Sequence, residues 1–413
     1  MSIEKLTTIK FQTTAVDAFQ RLRVTQPFTL FDSKQIHDGQ ALFWDDVEES
    51  GAGTSSTHSA DNARTRLAVG AATAGLRTRQ TFMRFNYQPG KSYLVMLTGR
   101  LTSGAADGIV SRLGYFDDDN GLFFEMSGTT FGCVRRSNTS GTPVDDRVAA
   151  NDMNGDKFQG EAGQQSINTL DLDFTKTQIF WLDFEWLGVG QVRMGVVIDG
   201  QLVLLHCFQN ANVLDQVYMS TPNLPVRYQI ENDGAGPATS IDHMCASIMS
   251  EGTIVRLGAL FYDSTEGSHI DCNVADTIYA IMGIRLKTTH LGTTVILKNQ
   301  SLVNNAVVDF EWMLILNPTL ANAITFADVA GASVQTGPGN TGNPSNSTVT
   351  GGTRLAGGFV KSSQASGDIS EDIEHAIRLG ASIAGVRDEI YLCCRPLSVN
   401  ADIDGGLTWR EVQ

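Results

Sequence analysis

Positive charge is scarce in this chain. Over 413 residues, 30 Lys and Arg stand against 45 Asp and Glu, a formal net charge of −15. A general nucleic-acid binder needs a dense basic surface to displace counterions, so this balance argues against that class. Proline is sparse too, at 10 residues against 41 glycines, and no Gly-x-y period supports a collagen. No uninterrupted apolar run reaches about 18 residues, which argues against a helical membrane span. The opening Met1-Ser2-Ile3-Glu4-Lys5 lacks the basic-then-apolar order of a secretory signal, so folding in a reducing cytoplasm is expected. The six cysteines, Cys133, Cys207, Cys245, Cys272, Cys393 and Cys394, contain no C-x-x-C pair, which removes zinc knuckles and redox loops. Adjacent Cys393 and Cys394 would point to opposite sides of a strand, as ordinary buried thiols do. A G-x-S-x-G nucleophile elbow and a G-x-x-x-x-G-K-S/T phosphate loop are both absent.

What is present is a rhythm of short apolar strands. Hydrophobic residues make up 42% of the chain, enough for two cores and too much for a mostly disordered protein. Strands are expected at Thr81 to Asn86, Ser92 to Arg100, Ile109 to Phe116, Leu122 to Met126 and Thr130 to Arg135. More follow at Gln178 to Leu187, Val192 to Ile198, Leu202 to Phe208, Val226 to Ile230 and Ile241 to Met249. Asp199-Gly200 between apolar runs is a hairpin signal, and Gln88-Pro89-Gly90-Lys91 reads as a turn. Later strands are expected at Ile254 to Phe261, Thr277 to Lys287, Thr293 to Leu297, Ala306 to Leu316, Glu389 to Cys394 and Leu407 to Val412. Residues 50–62 read as a surface loop, 63–80 as a short helix weakened by Gly70 and Gly75, and 137–168 as a long exposed excursion. A brief helix is expected at Ile373 to Arg378. The pattern predicts an all-β chain of antiparallel β-sandwich domains, jelly-roll or lectin-like, with an extended N-terminal arm. Its expected division is an arm and attachment region over 1–80, a first sandwich over 81–248, and a second β-rich domain over 249–413 with a flexible loop at 331–358. Asp183-Phe184-Glu185-Trp186 is echoed at Asp309-Phe310-Glu311-Trp312. A coincidence of strand-like words accounts for it better than duplication does.

Chemistry-bearing patterns are few. Asp183 and Glu185 share a strand face, about 6.6 Å apart along the backbone. Glycosidases use two carboxylates at comparable separations, and Trp181 on the same face could stack on a sugar. A solvated or subunit-facing strand surface accounts for the same alternation, and the third acidic residue of a laminarinase-like motif is missing, since Leu187 stands there. Trp181, Asp183 and Glu185 are therefore candidate ligand-binding residues, and no catalytic residue, metal or cofactor is expected. Asp117, Asp118, Asp119 and Asn120 offer oxygen ligands without EF-hand spacing, so an exposed acidic turn is expected. Arg64, Arg66, Arg77, Arg79 and Arg84 form the one Arg-rich stretch. It is opposed by Asp45, Asp46, Glu48 and Glu49, so ion pairing within an oligomer is expected there.

Asp17-Ala18-Phe19-Gln20-Arg21-Leu22-Arg23-Val24 followed by Pro27-Phe28-Thr29-Leu30-Phe31-Asp32-Ser33 resembles the opening of a group of structural virion proteins. These occur in tailed bacteriophages and some large aquatic viruses. Further matches are Phe85-Asn86-Tyr87-Gln88-Pro89-Gly90-Lys91-Ser92, Trp186-Leu187-Gly188-Val189-Gly190 and Met219 to Arg227, together spanning roughly 17–230. Gln20 departs from the Gly that similar proteins often carry. The resemblance implies a non-enzymatic tail, fibre, spike or head-surface component, assembled in the host cytoplasm. It implies self-association, with a trimer as the usual symmetry of fibres and spikes, and contact with other tail or capsid proteins. Phe19, Arg21, Arg23, Phe28 and Phe31 would then hold the arm against a neighbour. Recognition of a host-surface glycan is the alternative role, with capsid decoration or glycosidase activity behind it. Glycan recognition predicts an exposed Trp181 or an aromatic-lined loop near 137–168.

Overall fold

The computed structural model describes residues 16–19, 21–24, 26–157, 171–253, 257–339, 348–361, 364–368, 378–398 and 401–412. Among the described residues the chain forms 28 strands, two short 3-10 turns and no α-helix, and every strand pairing is antiparallel. It divides into two units: Met1–Thr81 with Tyr87–Val255, and Phe82–Asn86 with Arg256–Gln413.

The first unit is a sandwich of two sheets. Sheet I runs in the order β13 (Gln201–Phe208), β12 (Val192–Ile198), β11 (Gln178–Phe184), β6 (Tyr93–Arg100), β15 (Thr239–Ser250), β4 (Arg64–Val69) and β3 (Thr54–Ser59). Strand β1 (Phe28–Lys34) pairs with the second half of β15. Sheet II runs β10 (Val144–Ala149), β9 (Thr130–Ser137), β8 (Gly121–Ser127), β7 (Ile109–Phe116), β14 (Val226–Asn232), β5 (Gly75–Thr81) and β2 (Trp44–Gly51). Alternation sets the core. Phe180, Leu182 and Phe184 of β11 face inward, and rings from sheet II meet them: Phe124 lies 4.9 Å from Phe180 and Tyr115 5.5 Å from Phe184. Toward the other end of the sheets, Tyr228 stacks on His243 at 4.2 Å. Each buried ring of this size contributes about 1.5–3 kcal/mol relative to exposure. The β12–β13 hairpin turns on Asp199 and Gly200, both at positive φ, as a type I′ turn requires.

The second unit carries sheet III, in the order β16 (Ala259–Ser264), β28 (Ala401–Val412), β19 (Thr294–Asn304) and β26 (Gln364–Asp368), with β17 (Ile270–Cys272) also paired to β28. Sheet IV runs β22 (Ala327–Asp328), β23 (Val334–Pro338), β18 (Tyr279–Leu286), β27 (Glu389–Pro396), β20 (Phe310–Leu316) and β25 (Thr353–Val360). A small pair joins β21 (Thr319–Leu320) to β24 (Val349–Thr350). The main core includes Ile281, Leu392, Leu407 and a fully buried Trp409. A smaller cluster holds Met313, Ile324 and Tyr391. Cys393 belongs to the smaller cluster and Cys394 to the larger, the opposite-face placement expected of adjacent strand residues.

Several expectations are corrected. Residues 63–80 form β4, a turn and β5 instead of a helix. Thr65, Leu67 and Val69 are buried while Arg64, Arg66 and Ala68 are half-exposed, a period of two that only a strand satisfies. Residues 54–59, within the expected surface loop, are strand β3. The strand expected over Thr81 to Asn86 ends at Thr81, where the chain leaves the first unit. Residues 331–358 contain β23, β24 and the start of β25, with 340–347 outside the described residues. The helix expected at Ile373 to Arg378 lies almost wholly outside them, as do 158–170 of the long excursion and 1–15 of the arm. The sequence division set 1–80 apart, yet β1 to β5 supply strands to both sheets of the first unit.

Candidate functional site

Parts of the four stretches that carry the virion resemblance meet at one end of the first unit: residues around Asp17 and Arg21, Tyr87 to Ser92, Trp186, and Met219 to Asn223. Val16 bridges Leu22, and the Asp17 carboxylate accepts the Arg21 backbone N–H at 2.9 Å and the Arg21 Nε–H at 2.7 Å, closing a tight turn. Arg21 also donates to the Gly90 carbonyl, and the Ala18 N–H to Ser92 Oγ. Tyr87 packs against Phe184 and edge-on to Trp186. Its backbone N–H is held by Asn223, and the Trp186 indole donates to the Met219 carbonyl. Gln20 lies outside the described residues.

This packing decides the fate of the sequence candidates. Asp183 is fully buried. It forms ion pairs with Arg23 and, at 2.5 Å, with Arg193, and it accepts a hydrogen bond from Ser92 Oγ at 2.9 Å. Glu185 is half-buried and accepts the Gln191 N–H at 3.2 Å; burial raises its pKa. Asp183 and Glu185 do share the face opposite the core, but Val16 and Ala18 lie over that face and are themselves buried. A glycosidase pair needs both carboxyls open to sugar or water. Asp183 is closed off by its ion pairs, which corrects the expectation of a solvated carboxylate pair. Trp181 is likewise fully buried, its ring seated over Gly195 of β12 and its N–H donating to the Val196 carbonyl. The expected exposed Trp181 is therefore corrected: its indole is not presented to a ligand.

The residues expected to grip a neighbour grip their own unit. Arg23 pairs with Asp183 and, at 2.6 Å, with Glu251. Arg21 stacks over the Phe19 ring at 4.6 Å. Phe28 pairs with Ser250 in the β1–β15 ladder, and Phe31 is buried against Phe43 and Trp44. Arg77 and Arg79 pair with Asp46 across β2 and β5, so that part of the expected ion pairing occurs within the chain. The acidic turn is structural as well. Asp117 Oδ1 caps the N–H groups of Asp119 and Asn120, and Asp118 pairs with Arg227 at 2.5 Å. In the second unit, His269, Asp271 and Asp402 bring donor atoms within 4.8 Å of one another at a partly exposed strand edge, where acidic groups commonly meet without an ion.

A cleft of about 380 Å³ opens in the first unit beside β9 and the 149–157 segment. Its apolar floor includes Met126 and Phe131, and Phe174 stacks on Phe131 with centroids 4.2 Å apart. Thr129, Asn151, Lys157 and Asp171 also line it. The aromatic ladder continues inward through Phe124, which stacks on Phe131 and meets Phe180, so the core fixes the ring that faces the cleft. An aromatic lining thus exists next to the long excursion, but Phe131 and Phe174 flank 137–168 instead of lying in it. Sequence reasoning missed both. Their signal was an aromatic at a strand start and one in the polar approach to β11.

No family model matches the chain, and no curated protein matches it in sequence. Among solved structures, it is similar to the carbohydrate recognition domain of Emp47p at 12% identity and a TM-score of 0.34, over 54% of this chain and 96% of that one. The CBM2 module of an evolved Dit from Lactobacillus casei BL23 phage J-1 matches at 8% identity and 0.35, over 56% and 99%. A beta-1,3-glucanase from Mycobacterium marinum matches at 12% and 0.32, over 54% and 98%. At TM-scores this low the likenesses bear on no residue of this chain.

Proposed function

We propose that this chain is a non-catalytic virion component that binds carbohydrate through the cleft at Phe131 and Phe174. The cleft itself carries the proposal: a stacked aromatic pair forms an apolar wall suited to a sugar face, and Asn151, Lys157, Asp171 and Thr129 offer polar groups for hydroxyls. The virion setting rests on the sequence resemblance, parts of whose four stretches pack together in the first unit. The test is a saccharide array on the full chain, followed by calorimetry with the best hit. Phe174→Ala should weaken binding about 10-fold or more while leaving the thermal midpoint close to wild type. Absence of binding to any saccharide, or equal affinity in the variant, would refute it.

Self-association is a second role, favoured by one observation. Strand β16 is an edge of sheet III, and its Leu260 and Tyr262 side chains are 61% and 60% exposed. Open apolar edges invite pairing with another strand. A second copy of the chain is the proposed occupant, in keeping with the trimer implied by the resemblance. Light scattering should report an oligomer that Leu260→Lys dissociates; a monomer at high concentration would remove this role.

A further inference from the structure

The outward face of sheet I carries a charge arrangement that the cleft does not use. In the strand register, Asp242 of β15 lies directly between Arg66 of β4 and Arg100 of β6. Arg64, two residues before Arg66, shares its face. All three guanidinium groups converge on the one carboxylate: Arg66 Nε at 2.8 Å, Arg100 Nε at 3.1 Å and Arg64 at 3.3 Å. Asp242 is only 2% exposed, whereas the Arg64, Arg66 and Arg100 side chains are 24%, 36% and 18% exposed. Among the described residues no second carboxylate pairs with these arginines, so the cluster carries two positive charges beyond its own anion, on a chain whose net charge is −15.

One bidentate Arg suffices to neutralise a buried carboxylate. Two more guanidinium groups within reach of the same oxygens repel each other and the first. Burial lowers the Arg100 pKa; Asp242 opposes this, and Arg66 and Arg64 add to it, whereas the Asp242 hydrogen bond raises that of Arg66. An arrangement that gathers more cations than its own anion needs is stabilised by an added oxyanion. The surroundings narrow the choice. Thr57 and Ser59 of β3 lie opposite Arg66 and Arg64 in the register, and Ser240 accepts a hydrogen bond from Arg100 at 3.0 Å. Hydroxyls beside a short cationic row suit a sugar carrying a carboxylate or sulfate. A nucleic-acid backbone would need a longer basic track, which an acidic chain opposes.

We propose that Arg64, Arg66 and Arg100 form a second saccharide subsite, specific for the carboxylate or sulfate of an acidic polysaccharide. It deepens the carbohydrate-binding proposal but stands on a separate face, so the two can fail separately. The experiment titrates the full chain with a hyaluronan octasaccharide, its carboxyl-reduced counterpart, a chondroitin sulfate octasaccharide and a single-stranded oligodeoxynucleotide, at low and physiological salt. At least one acidic octasaccharide should bind, weakening as salt rises, while the reduced sugar binds at least 10-fold more weakly. A preference for chondroitin sulfate over hyaluronan assigns sulfate as the anion, and comparable binding assigns carboxylate. Arg64→Gln combined with Arg66→Gln should lower the affinity about 10-fold or more. Comparison of the acidic and reduced sugars on the wild-type chain decides the matter even if the double variant fails to fold. No acidic saccharide binding, equal binding of the reduced sugar, unchanged affinity in a folded double variant, or tighter binding of the oligonucleotide would each overturn the proposal. Neutral-sugar binding that is absent, or unchanged in Phe174→Ala, would refute the cleft and leave this proposal standing.

Discussion

The guanidinium of Arg23 lies against the fully buried carboxylate of Asp183, a residue 160 positions further along the chain. This contact pins the Val16–Val24 strap onto sheet I. Arg193 donates to the Val16 carbonyl as well as to Asp183, and Gln191 donates to the Ala18 carbonyl. Removing one partner of a buried ion pair leaves an uncompensated charge, which typically costs about 3–5 kcal/mol. Asp183→Ala should therefore lower unfolding stability by about that amount in a denaturant titration, since it strands Arg193 and leaves Arg23 with Glu251 as its one carboxylate partner among the described residues. Arg23→Ala is milder because Arg193 still pairs with Asp183. Its expected signature is local: tryptic cleavage after Arg21 accelerates severalfold, while the global midpoint moves less than in Asp183→Ala. Equal cleavage rates in wild type and Arg23→Ala would show that Arg23 does not hold the strap.

Trp181 owes its burial to a glycine. A Cβ built at Gly195 would lie 2.6 Å from the Trp181 ring and 2.0 Å from the Val203 carbonyl oxygen. Both contacts are far inside van der Waals distance, and one is to backbone that cannot rotate away. Gly195→Ala should cost at least the 1–3 kcal/mol typical of overpacking, about the size of a large ring's burial. It should also shift tryptophan emission to the red as the indole is displaced. Wild-type stability and emission in Gly195→Ala would contradict this packing.

The strands were legible because alternation is local. Ile109 to Phe116 and Val192 to Ile198 were read with the bounds they have, and Asp199-Gly200 marked its hairpin. The two-faced pattern around Asp183 was legible too, with Leu182 and Phe184 on the core side. What covers the other face was not, because the cover comes from Val16 and Ala18, and no local rule links those positions to β11. The same limit hid the convergence of Arg66 and Arg100 on Asp242. Three distant segments meet there through sheet order, and sheet order is a global property. The helix expected at 63–80 arose differently: Arg and Ala suit a helix by propensity, and tertiary pairing with β15 and β3 overrode it.

His243 supplies a pH dependence with a definite sign. Its ring is fully buried, between Tyr228 at 4.2 Å and Trp44 at 4.3 Å, and Arg79 Nε–H donates to its Nδ1 at 3.2 Å. Burial, reinforced by the Arg79 charge, holds its pKa well below the ordinary histidine value. The folded state thus binds fewer protons than the unfolded chain once pH drops below about 6.5, and stability falls with pH by up to about 1.4 kcal/mol per unit. Between pH 7.5 and pH 5 this residue therefore makes the folded state progressively less stable. His206 shifts in the same direction through burial, whereas burial of Glu185 and Glu251 raises their pKa values and favours the folded state as acid is added. Wild type must therefore be compared with His243→Gln, whose amide oxygen can still accept from Arg79 but does not titrate. Denaturant titrations at pH 7.5, 6 and 5 should show a shallower acid loss in the variant. Parallel curves for the two proteins would mean that His243 is not the group whose protonation opposes folding.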